Sequence, residues 1–416
     1  MRVLILSDTI PPENRGGAGI VTWRLACQLR DMGHDVFMIA ATRQAYFEEV
    51  RDGISTYHIH VDYPERFHAW LSLYNPQVNG DLRRLYQQIQ PDVINAHNIH
   101  AHLTYHSMQI AHDMGIPVVF SSHDVMPFAY HKMSYFIKRD QCDIESLNDY
   151  RLPPFFNLKQ MRFRYNPLRN LTIRRILSHA VQIRTAPSQA LCDAHHANGL
   201  PHFTCVHNGI DEAAFRASET VIQDLKTRLN LQDRKVILFA GRLTGAKGTR
   251  ELLNVLLRVI EHVPTVALLV LSSVPINEQI TDERYQTLAD QHIIVGGWLD
   301  GKELAAAFHI ADIMVAPSII FDTFPTVNLE AMASHSVVMA SCFGGSREAV
   351  IDGETGYIIN PFATDDFANK MIRLLDDDTL RQDMAVSAYR RVHEMFTLEQ
   401  QAQKMITYYQ NAIESQ

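Results

Sequence analysis

The chain has 416 residues, too many for one hydrophobic core and enough for two full domains. Its formal charge of -8 is spread without a block of like sign, which argues against nucleic-acid binding and points to a small-molecule partner. Five isolated cysteines with no CxxC spacing predict buried thiols in a reducing compartment rather than a disulfide framework, and no apolar run is long enough to cross a bilayer.

The opening segment carries Arg2 and Asp8 where a signal peptide needs its apolar core, so Val3 to Leu6 reads as a first strand and the protein as cytoplasmic. A glycine-rich turn follows at Gly16, Gly17 and Gly19, then a helical pattern to Gly33. Apolar runs at Val36–Ala40, Val93–Asn95, Val118–Ser121 and Ile183–Ala186 predict further strands of a parallel sheet buried on both faces. Between about 127 and 175 that rhythm lapses into an aromatic and basic insertion containing Tyr130, Phe155, Arg162, Phe163 and Arg164. Such a surface suits an acceptor or anionic head groups, or it is a packed structural excursion.

After Asn208-Gly209-Ile210-Asp211 the rhythm restarts. Val236–Ala240, Val266–Leu271, Ile293–Val295, Ile313–Ala316, Val337–Ala340 and Tyr357–Ile359 predict a second sheet, with amphipathic helices closing the chain from Asp365 to Gln416. The fold class is therefore α/β, two doubly wound Rossmann-like domains facing a central cleft. We place an N-terminal domain at 1–205, a C-terminal domain at 206–395 and a last helix, 396–416, returning to the first domain. Ligands of such sheets bind at the carboxyl ends of the strands.

Two loops there carry the chemistry. In KVILFAGRLTGAKGTRELL, Arg242 and Lys247 sit between a buried strand and a helix expected to start near Thr249, so two cations flank a helix N-terminus suited to a diphosphate. The alternative is a pair of solvated loop residues. A P-loop is excluded because three residues, not four, separate Gly241 from Gly245 and Gly248 follows Lys247. In PSIIFDTFPTVNLEAMA, seven residues separate Asp322 from Glu330, a carboxylate inside a helix starting near Val327 and able to accept from two vicinal ribose hydroxyls. The bland reading makes Glu330 a surface residue and Asp322 a cap.

His97, His100, His102 and His106 tempt a metal assignment, but no acidic or cysteine ligand is placed to complete a shell. Asp376, Asp377 and Asp378 follow a helix end and read as a cap. A dinucleotide fingerprint at Gly17-Ala18-Gly19 fails because Thr22 replaces its third glycine.

Gly16 to Gly19, the GHDV of Gly33 to Val36, His123-Asp124, Asn208 to Asp211, Arg242 with Lys247-Gly248, Asp322 to Met332, Gly344 to Glu348 and Asp352 to Gly356 come in the order in which their counterparts occur in glycosyltransferase family 4. The chain resembles that family, retaining enzymes of the GT-B fold, over nearly its whole length. The resemblance implies a metal-independent enzyme with no cofactor that moves a sugar from a nucleotide-diphosphate donor to a glycan, lipid-linked or small-molecule acceptor, with peripheral contact at the inner face of the membrane left open. It implies that Arg242 and Lys247 hold the diphosphate and Glu330 the ribose. Backbone groups around Phe324, Thr326 and Val327, and of Gly16-Gly17, would meet the distal phosphate. Trp298 and Leu299 would lie near the base, and His123 would touch the donor sugar unless it is a hydrogen-bonded structural histidine. Asp322 stands where the family usually has Glu, and Pro325 replaces a common glycine and removes a backbone donor. An epimerase or phosphorylase on the same fold, or a non-catalytic donor-binding subunit, are the competing readings.

Overall fold

A computed structural model describes the chain apart from residues 14–15, 64, 131–134, 141–148, 242–243 and 273–282. In the first of two sheets, β1 (Arg2–Leu6), β2 (Asp35–Thr42), β3 (Phe47–Arg51), β4 (Ile54–His60), β5 (Val93–Ala96), β6 (Val118–Ser121), β7 (Ile183–Ala186) and β8 (Thr204–Cys205) lie in the order β3-β4-β2-β1-β5-β6-β7-β8. Neighbours are parallel except at the edge, where β3 runs antiparallel to β4. The second sheet holds β9 (Lys235–Ala240), β10 (Val266–Leu271), β11 (Ile293–Val295), β12 (Ile313–Ala316), β13 (Val337–Ser341) and β14 (Gly356–Ile359), ordered β11-β10-β9-β12-β13-β14 and parallel throughout.

Counted from β9, that order is 3-2-1-4-5-6, so the connections leave in opposite directions on either side of the β9–β12 pair. The loops after those two strands therefore part and open a crevice, the topological switch point of a doubly wound sheet. The same reversal occurs in the first sheet between β1 and β5.

Burial on both faces explains the continuous apolar strands. In β9, Ile237 and Phe239 pack with Leu252, Leu256 and Met371, while Val236 and Leu238 pack with Ala307, Leu329 and Met332. In the first sheet, the helix Gly17–Asp31 lays Leu25, Ala26 and Leu29 on Val3, Ile5, Val36 and Met38, joined by Met405 and Tyr409 of the helix Leu398–Glu414. None of the helices among the described residues is long and apolar enough to cross a membrane.

The chain divides into two compact units, one of Met1–Met133, Asp149–Gly209 and Leu398–Gln416, the other of Ser134–Asn148 and Ile210–Thr397. The aromatic and basic insertion is accordingly shared. Its portion around 135–140 packs on the second unit: Phe136 meets Phe321 edge-on, with ring centroids 5.6 Å apart, and Asn360 Nδ2 donates to the Arg139 carbonyl at 2.8 Å. The later portion belongs to the first unit and is pinned by Arg169, fully buried, whose Nη1 donates to the Met126 carbonyl at 2.8 Å and whose guanidinium lies over the Tyr130 ring. Cys27, Cys192 and Cys205 are free thiols. Cys342 is disulfide-bonded, which departs from the expected set of isolated thiols.

Candidate active site

At the switch point of the second sheet, β9 is followed by a loop that ends in a 3-10 turn, Gly245–Lys247, and then by the helix Thr249–His262. Gly248 joins turn to helix at φ +73, and a Cβ there would sit 1.9 Å from the Pro317 carbonyl oxygen. Only glycine permits both the left-handed backbone and that approach. The loop after β12 is stitched to the same turn, since Ile319 N–H donates to the Ala246 carbonyl at 3.0 Å.

This stitching brings Lys247 and Asp322 together. Lys247 Nζ lies 2.5 Å from Asp322 Oδ2 and 3.4 Å from Ser318 Oγ, and Ser318 Oγ donates to the same carboxylate oxygen at 3.2 Å. Side-chain exposures of 32% and 18% leave the pair open to solvent on one side. Asp322 is held through its backbone as well, because its carbonyl accepts the Gly345 N–H at 2.8 Å and Gly344, at φ +83, presses against it where a Cβ would come within 2.1 Å.

Four residues beyond Asp322 starts the helix Thr326–Ala333, preceded by Pro325 and carrying no side-chain cap. Asn328, Leu329, Ala331, Met332 and Ala333 are buried, which leaves Glu330 half-buried on the remaining face. A helix without a cap presents partial positive charge and N–H groups at its start. Thr326 and Val327 are half-buried there, whereas Phe324 sinks into the core beside Phe396, with ring centroids 5.8 Å apart, so only its backbone can face a ligand. Trp298, 45% exposed, and Leu299, packed partly on the core, follow β11. Arg242 lies outside the described residues.

Gly16, Gly17 and His123 belong to the first unit. Gly16 caps the helix Gly17–Asp31, and a Cβ on Gly17 would meet nothing within 4 Å. Asp8, at the end of β1, accepts the N–H groups of Ala101, His102 and Leu103 at 2.7 to 3.0 Å and so shapes the loop after β5. The four histidines of the sequence cluster go to different partners: His97 to His123, His100 to Tyr105, His102 to the rings of Tyr63 and His68, His106 to the ring of Tyr74.

Burial pushes the His123 imidazole down to about 4, with His100 adding to the fall and Asp124 opposing it. Burial likewise lowers His195 to about 3 and His97 well below its ordinary value. These rings stay neutral in the fold while the unfolded chain takes up protons near pH 6.5, so stability present above that pH is lost as pH falls toward 4. The thermal midpoint is expected to drop steadily between pH 7 and pH 5. A flat profile across that window would contradict neutral burial of these histidines.

The family described as glycosyltransferase family 4 matches residues 15–214, and that described as glycosyl transferases group 1 matches residues 221–391. Between 15 and 391 only 215–220 escape both. The chain belongs to glycosyltransferase family 4. Its relatives within this class include an uncharacterized glycosyltransferase of Methanocaldococcus jannaschii, 23% identical over all of this chain and 99% of the other. Alpha-maltose-1-phosphate synthase of Mycolicibacterium smegmatis is 25% identical over 98% of this chain and 99% of its own. D-inositol 3-phosphate glycosyltransferase of Corynebacterium diphtheriae is 32% identical over 43% of each. Among solved structures, sucrose-phosphate synthase of Thermosynechococcus elongatus superposes with a TM-score of 0.74 at 18% identity over the whole of both chains. Anabaena HepE in complex with UDP gives 0.70 at 16% identity over 99% of this chain and 100% of that one. The fold is GT-B, and the protein is a glycosyltransferase.

Two site features lay beyond the sequence reading. Ser318 had no motif to mark it. Gly248 and Gly344 stood inside recognised segments, but their close approach to Pro317 and Asp322 depends on contacts 69 and 22 residues away along the chain.

Proposed function

We propose that this glycosyltransferase transfers a sugar from a nucleoside-diphosphate sugar, with retention at the anomeric carbon and without a metal ion. In the reaction the bond from C1 to the diphosphate oxygen breaks with its electron pair leaving on the diphosphate. The acceptor oxygen bonds C1 from the same face and its proton passes to the departing oxygen. Lys247 and Arg242 oppose the charge that grows on the diphosphate, Glu330 accepts from the ribose hydroxyls, and N–H groups at the start of Thr326–Ala333 and around Gly16-Gly17 receive the distal phosphate. Trp298 and Leu299 flank the base, and His123 touches the donor sugar.

The observation that carries this reading is Lys247, placed at a helix start on the switch point and held there by Asp322 and Ser318. That arrangement pre-orients a cation instead of leaving it to search, which is what leaving-group stabilisation requires. It also gives Asp322 a role, as the residue that aims Lys247. The UDP and UDP-glucose complexes of Anabaena HepE favour a nucleoside diphosphate as the ligand class.

Changing Glu330 to Ala is expected to weaken binding of UDP, or of whichever nucleoside diphosphate binds best, by about 10- to 100-fold in calorimetry, the ~1.5–3 kcal/mol of hydrogen bonds to a charged group. Undiminished affinity would remove Glu330 from the ribose. Gly17→Ala is expected to leave the thermal midpoint unchanged, since its Cβ meets no neighbour, while reducing turnover by crowding the distal phosphate.

The acceptor is proposed to be a glycan, a lipid-linked sugar or a small molecule, reached with the first unit resting on an anionic membrane surface. Between Asp149 and Asp193 there is no acidic residue, against eight Lys and Arg in a chain of net charge -8. Arg151, Lys159, Arg162, Arg164, Arg174 and Arg175 are exposed, and among them stand Phe155, Phe163, Leu168 and Leu171, 63% to 76% exposed. Cations near an anionic surface contribute about 1 kcal/mol each, and apolar side chains add burial in the head-group layer. The protein is expected to co-sediment with phosphatidylglycerol vesicles and to be released by salt or by R162E with R164E. Equal binding to phosphatidylcholine, or none to either, would overturn the membrane contact.

A further inference from the structure

We infer that Asn95 and His97 are positioning residues that hold His123 as the Nε2–H tautomer, so that its ring accepts, rather than donates, at Nδ1. Their effect on the reaction rests on the reading that His123 touches the donor sugar. The tautomer itself does not.

The chain of constraint starts in the sheet. Asn95 and His97 stand two residues apart at the carboxyl end of β5, a spacing that puts both side chains on one face. Asn95 Nδ2 lies 3.2 Å from the Val119 carbonyl and 3.0 Å from Ser121 Oγ. A carbonyl only accepts, so the amide cannot be turned over without setting two oxygens against each other, and Asn95 Oδ1 must point the other way. There it receives the Tyr409 hydroxyl at 2.7 Å and His97 Nε2 at 2.7 Å. Tyr409, brought by the helix Leu398–Glu414, occupies the second lone pair of that oxygen and buttresses the amide.

Because Oδ1 is an acceptor, His97 must carry its proton on Nε2. His97 is 2% exposed and neutral, so its Nδ1 is a lone pair. That nitrogen lies 2.8 Å from His123 Nε2, with the two rings nearly parallel at 18°. His123 must then donate from Nε2, and in the neutral ring the accepting nitrogen is Nδ1. The orientation of one buried amide thereby passes through two imidazoles to the edge of a small pocket lined by His97, Ser122, His123 and Asn208. A donor-sugar hydroxyl meeting this ring at Nδ1 would be the hydrogen-bond donor, which selects a hydroxyl over an ether or carbonyl oxygen at that position.

The test is a long-range nitrogen–proton NMR correlation on the full-length protein with 15N-labelled histidine at pH 7, with His97→Gln and His123→Asn used to assign the two rings. Both rings are expected to show a pyrrole-type shift at Nε2 and a pyridine-type shift at Nδ1. A proton on Nδ1 of either ring overturns the inference. His97→Gln offers a side-chain oxygen that accepts from His123 and is expected to keep its tautomer. His97→Phe offers none and is expected to mix the two forms and to raise the donor KM about tenfold. A His123 tautomer unchanged in His97→Phe would also overturn the positioning role. Should His123→Ala turn over donor normally, the contact with the sugar falls while the tautomer result stands.

Discussion

Lys247→Ala is expected to lower kcat by about 100- to 1,000-fold, the scale of losing one preorganised group that opposes charge in a transition state. The loss should fall chiefly on turnover. On the proposed mechanism charge accumulates on the diphosphate as the bond to C1 breaks, so the ammonium would be worth more in the transition state than in the bound donor. The geometry sharpens the expectation for Lys247→Arg. Nζ sits 2.5 Å from Asp322 Oδ2, on a turn whose backbone is tied to residues 317–319. A longer planar guanidinium cannot occupy that place without moving Asp322, so retained charge alone should restore little activity. Steady-state kinetics on the best donor decide the matter. A Lys247→Ala enzyme within threefold of the parent would remove the basic loop from the mechanism.

Gly248→Ala, a single methyl group, is expected to have an effect nearly as large. The added Cβ would fall 1.9 Å from the Pro317 oxygen on a backbone at φ +73, so the turn must lift away from the loop after β12. The left-handed conformation costs an alanine about 1 kcal/mol and the displacement adds more, giving a stability loss of roughly 2–4 kcal/mol. Lys247 is the residue before it, so Nζ leaves Asp322 and turnover should fall at least tenfold even where the protein remains folded. Thermal unfolding and kcat measured on the same preparation separate the two. A stable, fully active Gly248→Ala protein would show that the turn is not built as described.

The central strands of both sheets could be read from the sequence because burial on two faces demands runs such as VLIL and VILFA. The edge strands of the second sheet, β11 and β14, were legible in the same way, whereas β3, β4 and β8 of the first sheet were not. β3, FEEVR, alternates between half-buried and exposed, β4 mixes Ser, Thr and His among its apolar residues, and β8 has two residues. The helix starts at Thr249 and Thr326 fall within one residue of expectation, since glycine or proline marks each boundary.

Partnership was another matter. Lys247 and Asp322 are 75 residues apart, and nothing local says that β9 and β12 are neighbours, which follows from the reversal of strand order. Tyr409 reaches Asn95 across 314 residues, and Phe136 meets Phe321 although its neighbours in sequence build the other unit. His97 was visible only as one of four histidines. Its spacing from Asn95 was the usable signal, since residues i and i+2 of a strand share a face.

The most direct test of the account is the fate of the donor. Purified protein would be incubated in EDTA with a panel of nucleoside-diphosphate sugars and candidate acceptors, and the products followed by NMR. The account predicts that one donor releases its nucleoside diphosphate while the sugar appears in product, or slowly as free sugar, in the donor's own anomeric configuration and at a rate EDTA leaves unchanged. An isomerised donor, a sugar phosphate, an inverted product, or donor that binds and is never turned over would contradict it.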